Sequence, residues 1–337
     1  LQPVQVSEDR VIRTVVGLRP YRPAGFRLEA ERLGDKLLVH NYGHGGGGWT
    51  LSWGTAALAT ELALGSDHRR AAVLGCGIVG LTTARTLQRH GFDVTIHTRE
   101  LPPATTSNIA GAQWSPASVF DPEIATPAFR TQLDRALAIA YRTFQEQVGG
   151  RYGVRWISNY WLRDDPPEID TDLRTRWRHL YPEQRDLAPG EHPFAAAHVQ
   201  HVATLFMEPP HYLPEIIDDF RRAGGRIAVQ AFDSLEAVAQ LPEPVVVNCT
   251  GLGAGALFDD PDIMPVKGQL TVLRPQPGVD YLVINDAGLY MFPRSDGILL
   301  GGTNVRGDWS LDVDEAAKAR IVAGHAALFG AMAAPAA

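Results

Sequence analysis

Hydrophobic and polar positions change period several times along the chain. Residues 11–29, VIRTVVGLRPYRPAGFRLE, mix β-branched residues with Pro and Gly, which predicts extended segments broken by turns. DKLLVHNYG predicts a strand over Lys36–Tyr42 that runs into a glycine cluster. The Ala- and Leu-rich stretch after it predicts a helix from Thr50 to Leu64, with Thr50 as N-cap. AAVLG is a short, wholly apolar run of the kind buried in a parallel sheet. IVGLTTARTLQRHG predicts a helix closed by Gly91, and DVTIHT the next strand. Residues 129–148 predict an amphipathic helix and HYLPEIIDDFRRAGG another, with RIAV and VVVNCTG as strands. YLVIND, GLYMFP and GILLGGT predict successive antiparallel strands, residues 311–330 a helix, and AMAAPAA a frayed tail. Residues 150–200, rich in Trp, Arg and Pro, show no clear period.

This alternation of strands and helices predicts an α/β fold, and 337 residues allow two domains or one large one. Lys plus Arg number 31 against 38 Asp plus Glu, with no basic block, which argues against nucleic acid or an anionic membrane as the main partner. No apolar run approaches the roughly 20 residues of a membrane span. Cys76 and Cys249 sit in apolar, Gly-flanked strand contexts and are expected to be free, buried thiols. The chain opens on Leu1 rather than Met, so an upstream segment is left open. No signal-peptide pattern is visible, and the cytoplasm is slightly favoured as the compartment.

GCGIVG, residues 75–80, carries the first chemistry. Gly75 permits a tight turn, Gly77 lets backbone approach a pyrophosphate, and Gly80 lets helix pack on strand. An apolar strand precedes it, and a helix and a strand follow. The helix N-terminus, from Ile78 and Val79, offers unpaired N–H groups and a positive dipole end to phosphate. Glu100, 20 residues past Gly80 and next to Arg99, is placed for a ribose or for solvent. The motif alone selects neither NAD nor FAD. TTSNIAGAQW (105–114) suits a second pass near phosphate or a flat ring, and VNCTG (247–251) ends a strand at the edge where α/β sheets bind ligands.

Taken together, GCGIVGLTTA, TTSNIAGAQWSP, VNCTGLGAGAL, LYMFPR, LGGT, GLRPYRPAGFRLE and HNYGHGGGGWTLSWG resemble segments of the D-amino acid oxidase family, which includes D-aspartate oxidase. The resemblance covers most of the chain outside 150–200. Its order departs from the family: GLRP and HNYGHGG, C-terminal there, come first here. A circular permutation is therefore expected, with residues 1–64 as the family's C-terminal part, GSDHRR as the new joint, and Leu1 and Ala337 close together.

The resemblance implies an FAD-binding Rossmann-like domain (31–108 and 202–260) interleaved with a mixed or antiparallel-sheet substrate domain (1–30, 109–201 and 261–337). It implies FAD as cofactor, a D-amino acid and dioxygen as small-molecule partners, no metal, and leaves a homodimer open. It implies that Arg19 holds the substrate carboxylate with Tyr290, and that the Gly46 carbonyl meets the amine. Gly45, Gly47, Gly48, Trp49 and Thr50 would run along the flavin pyrimidine edge. Thr105, Thr106 and Ser107 would meet the pyrophosphate, and Gly111, Ala112 and Gln113 the flavin ring. Phe232 backbone would meet the adenine, and Thr250 with Gly251 the phosphate or ribitol. Arg22 and Arg27 are expected to be structural. Arg294 is expected to be structural, with recognition of a second carboxylate as the alternative. His44 is expected to pack rather than to bind metal, because glycines separate it from His40 and no carboxylate adjoins it. INDAGLY is short where the animal enzymes have a longer lid, which implies freer product release. Two other readings stay open: an amine oxidase for glycine or N-methyl amino acids, and a nucleotide-binding module without oxidase activity.

Overall fold

The structure, a computed structural model, describes residues 1–166, 172 and 174–333. Its strands are β1 (Val11–Tyr21), β2 (Arg27–Leu33), β3 (Lys36–Tyr42), β4 (Arg70–Leu74), β5 (Asp93–Thr98), β6 (Val154–Arg163), β7 (Arg185–Leu187), β8 (His198–Met207), β9 (Arg226–Val229), β10 (Val245–Asn248), β11 (Met264–Leu273), β12 (Tyr281–Asn285), β13 (Tyr290–Arg294), β14 (Gly297–Gly301) and β15 (Val305–Arg306). Its helices are α1 (Gly48–Leu64), α2 (Ile78–Arg89), α3 (Thr106–Ile109), α4 (Pro127–Glu146), α5 (Pro209–Arg222), α6 (Leu235–Ala239), α7 (Gly253–Leu257) and α8 (Glu315–Gly330).

Apolar runs become the centre of a six-stranded sheet ordered β2-β3-β10-β4-β5-β9. Its core is parallel, and only β2 runs antiparallel, on the edge beside β3. All four residues of β10 are buried, as a strand covered on both faces requires. A nine-stranded sheet is ordered β1-β11-β14-β13-β12-β6-β8-β7, with β15 added on β11. It is mixed, because β12 runs parallel to β6 while the other pairs are antiparallel. The expected antiparallel run over β12, β13 and β14 is present.

Helix α1 begins two residues earlier than its composition suggests. Gly47 is its N-cap, without a capping side chain, and Thr50 lies within the first turn, so Thr50 is not the cap. The Thr50 hydroxyl instead accepts from Ser115 N at 2.9 Å. Helix α1 is buried on nearly every side, and at Gly54 it meets α4 so closely that a Cβ would lie 1.9 Å from Ala136 O. Gly91, at φ +82°, closes the turn after α2 as expected.

The segment without a clear period supplies β6, β7 and β8 among its described residues. Strand β11 also went unread: Lys267 and Gln269 interrupt its apolar pattern, although both are buried and bonded to the chain around Asp308–Asp314.

The first 42 residues feed both sheets: β1 pairs with β11, and β3 with β10. Near the two ends, the Tyr281 hydroxyl donates to Gln2 O at 2.8 Å and lies 3.9 Å from Met332 Sδ. Ala337 and the rest of the tail 334–337 fall outside the described residues. Joining residue 333 to residue 1 by a short linker, and cutting between Ser66 and Asp67, is expected to give a folded protein of unchanged circular dichroism. An unfolded or aggregated product would contradict that proximity.

Candidate functional site

Strand β4 ends at Leu74, and Gly75 turns the chain at φ +110° while its N–H donates to His97 O at 2.7 Å. A Cβ at Gly75 would stand 2.6 Å from Cys249 O, and one at Gly80 would stand 2.1 Å from Gly75 O. Strand, turn and helix can therefore close up only with hydrogen at both positions. Gly77 caps α2 without a side chain, so the first-turn amides receive no bond from a cap side chain. One of them, Ile78 N, donates to Ser107 Oγ at 2.9 Å, and Thr105 Oγ1 donates to Asn108 Oδ1 at 2.9 Å. Thr106 opens α3, and Val79 O accepts from the Thr83 hydroxyl at 2.7 Å. The positive end of α2 thus faces the 105–107 segment, as a pyrophosphate site requires.

The second glycine cluster lies at the start of α1. Gly45 has φ +56°, and its Cβ would meet Ser118 O at 2.3 Å. A Cβ at Gly47 would meet Val119 at 2.5 Å, and Gly46 N donates to Ser118 O at 2.9 Å. Gly45 and Gly47 therefore answer first to the 117–119 loop, while a Cβ at Gly48 would make only ordinary contact with His44 at 3.9 Å. The first turn of α1 carries no acidic residue, so its positive end is not offset. Trp49 Nε1 donates to Ser107 O at 3.0 Å, which ties this helix to the phosphate segment. Gly111 lies against the Phe292 ring, Ala112 has φ +59°, and Gln113 pairs opposite Phe206 with its Nε2 buried and unbonded among the described residues.

Arg19 and Tyr290 come together from β1 and β13. The Arg19 guanidinium lies over Gly268 and the Tyr290 ring over Gly301, where any side chain would clash. Arg19 Nη2 donates to Tyr290 Oη at 3.4 Å. Among the described residues Arg19 forms no ion pair. The other arginines considered are paired: Arg22 with Asp260 (2.8 Å) and Asp262 (3.3 Å), and Arg27 with Glu29 and Glu31. Arg294 is buried, bonds Asp296 through two nitrogens, and donates to Asn108 O and Ala110 O. Its three nitrogens are engaged with Asp296 and with the 108–110 segment, the arrangement of a structural arginine.

Arg99 and Glu100 are exposed, 4.0 Å apart. Phe232 stands edge-on to His97, whose buried Nε2 has no partner among the described residues. Thr250 is bonded to Asn248 Oδ1 through both N and Oγ1, and Gly251 turns beside Pro20. Cys76 and Cys249 are free, and burial pushes both thiols up to about 12. His44 is buried, stacked on Phe26 and 3.1 Å from Thr55 Oγ1. Sequence reasoning missed a rim cluster. Tyr21 donates to Asp121 at 2.6 Å, and Arg306 bonds the same carboxylate beside Gly45. The one available signal was that Tyr21 follows Arg19 by two on a strand and so shares its face. A cavity of about 630 Å3 lies beyond Ile109, lined by Val15, Pro214 and Leu299, and touches neither Arg19 nor the glycine turns.

Two helix N-termini that start at glycines without capping side chains, and close turns that admit only glycine, fit FAD. Fold and site define a flavin-dependent oxidoreductase. A family model described as FAD dependent oxidoreductase matches residues 70–336, leaving 1–69 outside the match. The D-amino-acid oxidase of Rubrobacter xylanophilus is 34% identical over 257 residues, 73% of each chain. That of Streptomyces coelicolor is 33% identical over 261 residues, 76% of each chain. The D-aspartate oxidase of Homo sapiens is 30% identical over 255 residues, 74% of this chain and 72% of the other. In fold, glycine oxidase from Geobacillus kaustophilus aligns with a TM-score of 0.58 and 21% identity, over 80% of this chain and 81% of that one. The chain belongs to the D-amino acid oxidase family of FAD-dependent enzymes.

Burial holds His44 at about 3, well below the ordinary imidazole value of 6.5. The folded protein keeps it neutral while the unfolded chain takes up a proton below 6.5, so stability is lost as pH falls from 6.5 toward 3. His40 and His325 are pushed the same way by burial. Unfolding by urea is expected to show about 2 kcal/mol less stability at pH 5 than at pH 7.5 from His44 alone. His44→Gln should remove that part of the slope, and an unchanged slope in the variant contradicts the assignment.

Proposed function

We propose that the protein oxidises D-amino acids to imino acids, which hydrolyse to 2-oxo acids and ammonia, with dioxygen converted to peroxide. The half built on the six-stranded sheet (β2–β5, β9 and β10) holds the cofactor, and the half built on the nine-stranded sheet (β1, β6–β8 and β11–β15) covers the substrate. FAD, when bound, accepts the hydride from the α-carbon and is reoxidised by dioxygen. The observation that carries this reading is the part-buried Arg19, unpaired by any described carboxylate and bonded to Tyr290.

The planar guanidinium takes the α-carboxylate through two parallel N–H bonds, which a Lys cannot reproduce. The Tyr290 hydroxyl donates to the same carboxylate. The Gly46 carbonyl accepts from the substrate amine, and with the carboxylate fixed this second point sets which hand of substrate presents its α-hydrogen. Two relatives named D-amino-acid oxidase, each about one third identical, support the D series. Because Arg294 is already paired, neutral side chains are favoured over acidic ones. We also propose that residues 1–64 are the family's C-terminal part in permuted order, joined to the rest through GSDHRR. The family match that begins at residue 70 and the pairing of β1 with β11 support it.

Peroxide formation from a panel of D- and L-amino acids tests the reading. Activity with D-isomers alone is expected, and Arg19→Lys should lower kcat/KM roughly a hundredfold, mostly through KM. Equal rates with both isomers, or an Arg19→Lys enzyme as active as wild type, would contradict it.

A further inference from the structure

Register fixes which side chains share the sheet face that carries Tyr290. Ile284 pairs with Tyr290 across β12 and β13, and with Trp161 across β12 and β6. Leu282 pairs with Asn159, and packs with Phe292, Ile157 and Phe206 in one apolar cluster. Gln113 sits opposite Phe206. Asn159, Trp161 and Gln113 therefore lie on one face with Tyr290 and, through it, with Arg19.

Three uncharged groups on this face lack partners. Both amide atoms of Asn159, Nε1 of Trp161 and Nε2 of Gln113 are buried and unbonded among the described residues, and Asn159 is 0% exposed. Arg163, over the Trp161 ring, also keeps its Nε buried and unbonded among the described residues. Buried polar atoms are nearly always satisfied, so a group of them beside a substrate site marks where something else bonds. Other polar groups nearby have partners. Thr204 donates to Trp114 O at 2.8 Å, Arg155 pairs with Glu208, Arg163 with Asp286 at 3.6 Å, and Arg294 with Asp296 at 2.8 Å.

We propose that Asn159, Trp161 and Gln113 form the subsite for the substrate side chain, and that it takes a neutral carboxamide at glutamine length. This rests on the D-amino acid reading above. The free atoms are donors on all three residues and one acceptor, Asn159 Oδ1. A carboxamide answers them with two lone pairs on its oxygen and an NH2 group. The nearest cation, Arg163, already faces Asp286 at 3.6 Å, so a carboxylate there would compete with that pair, and the nearby carboxylates Asp286 and Glu208 are likewise paired and leave no free anion for an ammonium. Trp161 stands two strands from Tyr290, roughly 10 Å across the sheet, so a side chain anchored at Arg19 must be several atoms long to reach it. Alanine and asparagine fall short.

The test is kcat/KM of the FAD-loaded enzyme for D-glutamine, D-methionine, D-glutamate and D-alanine, in wild type, Asn159→Leu and Trp161→Phe. D-Glutamine is expected to exceed D-methionine and D-glutamate by roughly tenfold in wild type. The glutamine-to-methionine ratio should fall by roughly tenfold in each variant, mainly through KM. Trp161→Phe keeps the ring and serves if Asn159→Leu does not fold. A wild type that prefers D-methionine, or a ratio unmoved in a flavin-loaded variant, overturns the subsite. A flavin reduced by glycine and by no other D-series substrate overturns the reading beneath it, and the subsite with it.

Discussion

A guanidinium held under a sheet with no carboxylate beside it is the constraint around which this molecule is arranged. A partly desolvated cation is costly unless it is paired, and the other arginines near it are paired within the chain. Among the described residues Arg19 is bonded only to the Tyr290 hydroxyl. Two glycines clear the space it needs, Gly268 under the guanidinium and Gly301 under the phenol ring. Strand β1 holds it in place through ten paired positions on β11, then bridges from Tyr21 to His44 at the mouth of the glycine loop. In the proposed reading the substrate carboxylate completes the ion pair, so that binding energy and orientation come from one contact.

The cofactor half solves a related problem with backbone instead of side chains. Both α1 and α2 start at glycines that offer no capping side chain. In the proposed reading their positive ends face phosphate at one helix and the charge of a reduced flavin at the other. Ser107 joins the two, bonding Ile78 N with its hydroxyl and Trp49 Nε1 with its carbonyl.

Much of this was legible because local pattern and burial agree. Lys36–Tyr42 and Asp93–Thr98 are read to the residue, the first as a largely apolar run and the second as an alternating β-branched one, each bounded by turn residues. The role of Arg294 was half legible: Asp296 lies two positions on, but the carbonyls of Asn108 and Ala110 that complete its coordination are brought in by the fold. The glycine cluster shows the limit most clearly. Gly45 and Gly47 invite a ligand-based reading, whereas the contacts that exclude a side chain there come from Ser118 and Val119, far along the chain. Strand β11 was hidden because Lys267 and Gln269 look like surface residues until their partners at Ser310 and Asp314 are in place.

The most direct measurement is a titration of the FAD-loaded protein with benzoate, a carboxylate with neither amine nor α-hydrogen, followed by flavin absorbance. The wild type should show a saturable spectral change, with affinity lowered roughly a hundredfold in Arg19→Leu, as expected when the cation of an ion pair is removed. Equal affinity in the two proteins would mean that Arg19 does not hold the carboxylate, and the account built on it would fail.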